Sequence, residues 1–172
     1  RVIPMLPETL SNNLCSLRPN EEKLTFSAVF VMKKNGEIIE EWYGKTVTES
    51  DCRLSYEEAQ YIIENETTTI PKEETILKEE KRVTQKIVEA IATLNSIAKT
   101  IRNKRINNGA LIFDKSEIKF KLDEKNQPVK ILFKTAKSAN KLIEEFMLLA
   151  NKKVAEKMKQ SNERFVYRVH DQ

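Results

Sequence analysis

The sequence predicts an α+β fold with mixed or antiparallel strands, a long central helix and a buried C-terminal helix. Three patterns support this prediction. Residues 24–34 are rich in aromatic and β-branched side chains, and Asn35-Gly36 follows them, which is the strongest short signal for a β-hairpin. Apolar residues recur at helical spacing from residue 83 to residue 101. Residues 138–159 are also helical in pattern and contain a run that is apolar almost all round.

The predicted elements follow one another along the chain. Three prolines within residues 1–20 predict an irregular start. Ser55 precedes a short helix, because Ser55 and Glu58 have the spacing of a capping box. The other elements are hairpin strands over 24–34 and 37–49, a polar loop over 65–73, a helix over about 73–104, short strands over 110–113, 117–122 and 129–134, a helix over 138–159 and a last strand over 164–169.

The long central helix is predicted from a single apolar stripe. The stripe has steps of three and four residues, and its members are Val83, Ile87, Ile91, Leu94, Ala98 and Ile101. Asn107-Asn108-Gly109 supplies a stop signal at the C-terminal end. A stripe of this kind marks a face packed on a core more often than a coiled coil, so we expect it to face the domain interior.

A narrow polar stripe interrupts the apolar C-terminal helix. At about 100° per residue, Asn140, Glu144 and Asn151 fall within a wedge of roughly 40°. Polar groups on a buried helix need hydrogen-bond partners. The stripe therefore has two interpretations. It belongs to an internal hydrogen-bond network or a solvent-facing edge of the helix, or it lines a ligand channel.

Composition argues against several classes of protein. Of the 172 residues, 40% are hydrophobic and 33% are charged, and no window approaches 18 consecutive apolar residues, so no membrane span is expected. Two cysteines, Cys15 and Cys52, are too few for a disulfide framework, and they favour a reducing, cytoplasmic location.

The net charge is +4, but residues 99–134 hold ten basic and four acidic side chains. This local excess suits contact with a polyanion, although a solvated face is the simpler interpretation.

The residue types present do not suit several common kinds of catalytic site. One histidine, His170, and three glycines provide no basis for a Ser-His-Asp triad or a glycine-rich phosphate loop. The aspartates are dispersed, so they do not form the carboxylate cluster that a two-metal nuclease needs. Phe113, Phe120 and Phe133 alternate with lysines, an arrangement that suits single-stranded nucleic acid, although core packing is the better explanation for at least two of them.

Five segments of the chain carry a familiar pattern. They are RVIPMLPETLSNNLCSLRPNEEKL at the start, RLSYEEAQ at 53–60, NNGALIFDKSEIKFKL at 107–122, SANKLIEEFMLLAN at 138–151 and YRVHD near the end. Together they resemble the catalytic RNB domain of the RNase II / RNase R exoribonuclease family. They occur in the family's order and span essentially the whole chain, and the first and last of these blocks are the most specific.

The resemblance implies a processive 3′-to-5′ exoribonuclease that hydrolyses single-stranded RNA to 5′-mononucleotides with Mg²⁺. Residues 1–172 would be the central part of its RNB domain, without the upstream segment that carries the catalytic aspartates and the downstream segment that carries an essential arginine. The sequence does not begin with methionine, in agreement with a piece of a longer chain. We therefore expect no catalytic residue, no metal ligand and no nuclease activity in this piece, and artefactual self-association through exposed apolar surface.

Three positions match RNA-contacting residues of the family. Phe113, in ALIFD, matches the aromatic residue that stacks on the 3′-terminal bases. Tyr56, in RLSYEEA, and Glu144, in KLIEEFM, match the pair credited with sensing the ribose. Both of these side chains can hydrogen-bond a 2′-OH, which DNA lacks. Glu145 is a weaker candidate.

Two alternatives stay open at the level of sequence. The chain could be a non-catalytic RNA-binding module, or a protein-interaction domain whose long helix over 73–104 docks on a partner. RNA binding is expected to weaken steeply with salt through counterion release, whereas an apolar helix interface is not.

Overall fold

A long β-hairpin fills much of the N-terminal third of the chain. In the computed structural model, which describes residues 3–111, 117–123, 127–161 and 164–168, strand β1 (Glu22–Met32) pairs antiparallel with β2 (Ile38–Glu49). Gly36 adopts a φ of +79° at the turn. The predicted Asn-Gly turn and both strands are confirmed. A π-helical turn, Thr9–Leu14, precedes the hairpin in a region that was expected to be irregular.

Helix α1 (Tyr56–Asn65) begins at the capping box that the sequence predicts. Glu58 donates its backbone N–H to Ser55 Oγ at 3.1 Å, and Ser55 donates its backbone N–H to Glu58 Oε2 at 2.7 Å. These two bonds satisfy donors that have no partner inside the helix. The cap therefore holds the first turn of α1, which carries Tyr56.

The central helix α2 (Gln85–Asn107) is shorter than its sequence pattern predicts, and the expected start near residue 73 is wrong. Residues 72–79 form turns and bends instead. The buried Thr75 hydroxyl donates to Glu79 O at 2.7 Å and accepts from Glu79 N at 3.1 Å. This side-chain pairing competes with the helical hydrogen-bond pattern and closes a turn.

Short strands and caps complete the region around α2. Strand β3 (Thr69–Ile70) pairs antiparallel with β4 (Lys81–Arg82), and Thr84 then caps α2 by accepting from the N–H of Ile87. At the other end Gly109 adopts a φ of +91°, so the predicted stop signal after α2 is confirmed.

The C-terminal part adds a second hairpin and a long helix. Strands β5 (Glu117–Leu122) and β6 (Pro128–Lys134) are antiparallel, and helix α3 spans Ser138–Ser161. The predicted α+β class with antiparallel strands and a long central helix is therefore confirmed. Within the described residues, the strands form three two-stranded sheets.

Two of the predicted short strands do not form where the structure describes them. Residues 110 and 111 are irregular, and residues 112 and 113 of the same predicted strand lie outside the described residues. Residues 164–168 are also irregular, so the predicted last strand is wrong there. A strand needs a hydrogen-bonded neighbour, and no strand in the described part of the chain pairs with this segment.

A small apolar core lies between α1, α2 and the short strands. Ile62 of α1, Ile70 of β3 and Val88 of α2 are buried at its centre, and the partly buried residues around them are Leu54, Tyr61, Val83 and Ile91. The predicted stripe of α2 therefore faces this core at its N-terminal end. Leu94, farther along the stripe, is 41% exposed.

Helix α3 buries one face rather than its whole circumference. Ala139, Leu142 and Glu145 are buried at intervals of three residues, and α3 contacts both α1 and α2. Ile143 and Met147, in contrast, are at least half exposed. The expected burial of α3 therefore holds for one face of the helix. Apolar side chains favour burial, but they are buried only where another element of the structure packs against them. None of the described helices combines the length and the apolar character that a membrane span requires.

Replacing Ser55 with alanine removes one half of the capping box. Ser55→Ala is expected to lower the free energy of unfolding by about 1 kcal/mol, because the N–H of Glu58 loses its acceptor. Urea denaturation followed by circular dichroism measures this change. Ser96→Ala, at an exposed position inside α2, is the matched control and should not destabilise the chain. Equal losses in the two variants would contradict the prediction.

Candidate functional site

Two arginines of α2 and two glutamates of α3 form a charged cluster between these helices. Arg102 and Arg105 are three residues apart, which puts their side chains on one side of α2. Glu144 and Glu145 are adjacent on α3. Glu145 is 1% exposed, and its carboxylate accepts hydrogen bonds from both arginines. The cluster therefore ties together segments about 40 residues apart in the chain.

Glu145 makes the shortest contacts of the cluster. Arg105 Nη2 donates to Glu145 Oε1 at 2.5 Å, and Arg105 Nε donates to Glu145 Oε2 at 3.1 Å, which is a two-point contact. Arg102 Nη1 donates to Glu145 Oε1 at 3.2 Å. The hydrogen bonds to Glu145 raise the pKa of Arg105 above its ordinary value, although burial of the guanidinium acts in the opposite direction. Both oxygens of the buried carboxylate are thus paired, as a buried charge requires.

Glu144 makes longer contacts and keeps its access to solvent. Its Oε1 lies 3.5 Å from Arg105 Nη2 and 3.7 Å from Arg102 Nη1, and its side chain is 44% exposed. Oε1 makes both of these contacts, and the 44% exposure of the side chain leaves the carboxylate open to a hydrogen-bond donor of a ligand. An internal network is therefore present, but its buried centre is Glu145, which lies outside the predicted stripe, whereas the stripe residue Glu144 keeps an exposed carboxylate.

Tyr56 borders two grooves. It is the first residue of α1 and is 44% exposed. One groove, of about 420 Å³, is also lined by Tyr61, Phe133 and Asn140, and the other, of about 920 Å³, has a mainly apolar lining from all three helices. Glu144 lines neither groove. Of the two predicted ribose contacts, Tyr56 therefore borders both of these grooves and Glu144 borders neither.

The predicted aromatic stack is only partly described. Phe113 lies outside the described residues, as does His170. Phe120 and Phe133 are 58% and 71% exposed. The expectation that at least two of the three phenylalanines pack in the core is therefore wrong, because no helix in the described part of the chain makes extensive contact with the second hairpin.

Sequence reasoning missed Arg102 and Arg105 as members of a site. It counted them only within the basic stretch 99–134. Their three-residue spacing beside the apolar stripe of α2 was the available signal, since it predicts two guanidinium groups directed towards a neighbouring helix. The partner carboxylates were visible on α3, but the pairing joins distant segments and needs the tertiary structure.

The described residues do not fit a metal ion. No three His, Cys, Asp or Glu side chains among them come together in a group that could hold one. Glu144 and Glu145 are close to each other, but two arginines already neutralise them. The chemistry that this part of the chain offers is therefore recognition through hydrogen bonds, aromatic rings and charge.

The described residues combine an α+β fold, grooves lined in part by aromatic side chains and an exposed carboxylate beside two arginines. The family model of the RNB domain matches residues 1–172, so the chain belongs to the RNB domain family. The resemblance to the RNase II / RNase R family is thereby confirmed, and it covers every residue of the chain.

Named relatives and solved structures agree with this family. DIS3-like exonuclease 2 of Caenorhabditis elegans is 41% identical over 157 residues, which are 91% of this chain and 18% of that protein. The inactive exonuclease DIS3L2 of Arabidopsis thaliana is 36% identical over 161 residues, which are 94% of this chain and 15% of that protein. RNase R of Mycoplasma genitalium, solved with ribose-methylated single-stranded RNA, superimposes with a TM-score of 0.85 at 26% identity, over 99% of this chain and 25% of that one. The chain thus spans less than a fifth of the curated relatives it matches.

The two adjacent glutamates are expected to differ sharply in their contribution to stability. Glu145→Ala leaves two partly buried arginines with only their longer contacts to Glu144. It should therefore lower the free energy of unfolding by about 3 kcal/mol. Glu144→Ala, at an exposed carboxylate, should cost less than about 1 kcal/mol. Urea denaturation of the two variants measures the difference. Similar losses in both would show that Glu145 is not the anchor between α2 and α3.

Proposed function

We propose that the chain is the central part of the RNB domain of a longer cytoplasmic exoribonuclease. The longer enzyme degrades single-stranded RNA processively from the 3′ end to 5′-mononucleotides. The observation that carries this proposal is the match of nearly the whole chain to an RNase R that was solved with single-stranded RNA. The relative from Caenorhabditis elegans, which is named as an exonuclease, supports the same activity.

The part of the activity that we assign to this chain is holding the RNA. Mg²⁺ is the proposed cofactor of the longer enzyme, and its ligands come from other residues than the described ones, which hold no suitable group. Phe113 is proposed to stack on the 3′-terminal bases, since every base offers a face to an aromatic ring. The exposed Phe120 and Phe133 lie on the hairpin that follows it and keep aromatic surface accessible nearby in sequence.

Glu144 and Tyr56 are proposed to contact ribose, and they would do so in different ways. A carboxylate only accepts hydrogen bonds, so Glu144 needs the proton of a 2′-OH. Deoxyribose lacks that proton, and so does a 2′-O-methyl ribose. The hydroxyl of Tyr56 can donate as well as accept, so it can bond a 2′ oxygen whether or not the oxygen is methylated. Because Glu144 lines neither of the two grooves that Tyr56 borders, the two side chains would contact different nucleotides.

A non-catalytic RNA-binding module is the second candidate function. The Arabidopsis relative that is named as an inactive exonuclease supports it, since that protein matches this chain over most of its length. Both candidates require RNA contact by this chain, and they differ in whether the longer protein hydrolyses the RNA.

The proposed contact between Glu144 and ribose predicts a preference for RNA that depends on the proton of the 2′-OH. The chain should bind a single-stranded RNA oligonucleotide about tenfold more tightly than the matched DNA or 2′-O-methyl RNA, because a hydrogen bond to a charged group contributes about 1.5 kcal/mol. Glu144→Gln should reduce the preference over 2′-O-methyl RNA, since an amide can donate to the methylated oxygen. Fluorescence anisotropy at two salt concentrations measures the affinities.

A matched control separates the ribose contact from a general charge effect. Glu49→Gln removes an exposed carboxylate on β2 and should leave the preference unchanged. Tyr56→Phe should weaken RNA and 2′-O-methyl RNA together. If Glu144→Gln and Glu49→Gln behave alike, Glu144 does not read the ribose.

The isolated chain is expected to have no nuclease activity. Incubation with a 3′-tailed RNA and Mg²⁺ should release no mononucleotides, because the described residues contain no metal-binding cluster. Denaturing gels and chromatography of the products test this. Mononucleotide release that EDTA abolishes and that persists through a further size-exclusion step would refute the prediction.

A further inference from the structure

Glu144 shares both of its arginine partners with Glu145. Arg105 Nη2 and Arg102 Nη1 each lie within 3.7 Å of Oε1 of both glutamates. Two carboxylates brought this close would repel each other without the two cations. The two positive and two negative charges balance. Glu144 can therefore lie beside Glu145 while its own side chain stays partly exposed.

Glu145 determines where the guanidinium groups lie. Arg105 is held at two points by the two oxygens of a carboxylate that is 1% exposed. A planar fork fixed at two points has little freedom to rotate. The position of the Arg105 Nη2 that faces Glu144 is therefore set by Glu145, and this nitrogen holds Oε1 of a Glu144 side chain that is 44% exposed.

Arg102 and Arg105 are poorly placed to bind phosphate themselves. Their side chains are only 16% and 32% exposed, and each already contacts two carboxylates. A cation neutralised in this way attracts a phosphate weakly compared with a free one. An effect of these arginines on RNA binding would therefore act through the carboxylate that they hold.

From this geometry we propose that Arg102 and Arg105, fixed by the buried Glu145, are positioning residues that orient the exposed carboxylate of Glu144 towards the ribose and so set the preference for a 2′-OH. The inference rests on the ribose contact proposed above for Glu144. It adds the reason why an exposed glutamate, which would otherwise sample many rotamers, presents its carboxylate in one orientation.

Arg105→Lys tests this inference because it keeps the charge and removes the fork. A lysine cannot make the two-point contact with Glu145. We would measure the affinities of RNA, 2′-O-methyl RNA and DNA oligonucleotides for this chain and for the longer enzyme, in the Arg105→Lys, Glu144→Gln and doubly substituted proteins. Arg82→Lys, at an arginine whose side chain is 80% exposed, is the matched control. Thermal unfolding of each variant reports its stability separately.

The expected result is a selective loss of discrimination. Arg105→Lys should lower the ratio of RNA to 2′-O-methyl RNA affinity roughly fivefold, while its affinity for 2′-O-methyl RNA stays unchanged. In the Glu144→Gln background the same substitution should have no further effect on the ratio. A purely structural role would lower the melting temperature and leave the ratio as it was, and that result would overturn the inference.

Other outcomes are equally decisive. If Glu144→Gln lowers the ratio and Arg105→Lys does not, the ribose contact stands and the positioning role fails. If neither substitution lowers it, both proposals fail. A further variant, Arg105→Gln, removes the charge and is measured with the same three ligands at two salt concentrations. If it weakens all three equally and reduces the salt dependence by about one counterion, Arg105 contacts phosphate directly and the inference is wrong. If the short chain binds none of the oligonucleotides, the ratios from the longer enzyme decide between these outcomes.

Discussion

The buried carboxylate of Glu145 is the constraint on which the arrangement of the helices depends. A charge that is 1% exposed is tolerated only with close partners, and Arg102 and Arg105 supply them from a helix about 40 residues away. A second polar tie acts at the start of α3, where the buried Gln60 of α1 accepts from the backbone N–H of Ala139 at 2.9 Å. These two ties hold α3 against α1 and α2 with more directional precision than the small apolar core provides.

The same constraint separates two roles between adjacent residues. Glu145 points into the interface between α2 and α3, where both of its carboxylate oxygens are paired with arginines. Glu144 faces a direction about 100° away around the helix and keeps an accessible oxygen. The family match and the proposed ribose contact give this accessible oxygen a use. The grooves beside Tyr56 lie around the start of α1, which the capping box holds in place. The proposed RNA contacts thus lie on a helix terminus and a helix face that polar contacts hold in place.

Local signals were reliable wherever the deciding contacts lie close together in sequence. The Asn35-Gly36 turn and the Ser55–Glu58 box formed as predicted, because each depends on residues at most three positions apart. The start of α2 was misjudged because the helix was extended to residue 73, upstream of the apolar stripe that begins at Val83, whereas the Thr75 hydroxyl closes a turn there. The predicted strand over 164–169 had the right composition, but a strand also needs a neighbour, which composition does not reveal.

The sequence by itself determined the α+β class, the first hairpin, the helix caps and membership of a family, since these follow from short-range patterns and from the order of motifs along the chain. It also marked a polar stripe on α3. Only the tertiary structure decided that Glu145, next to the stripe, is buried and that Glu144, within it, is exposed. Successive residues on a helix face directions about 100° apart, and which direction meets two arginines depends on how α2 and α3 pack.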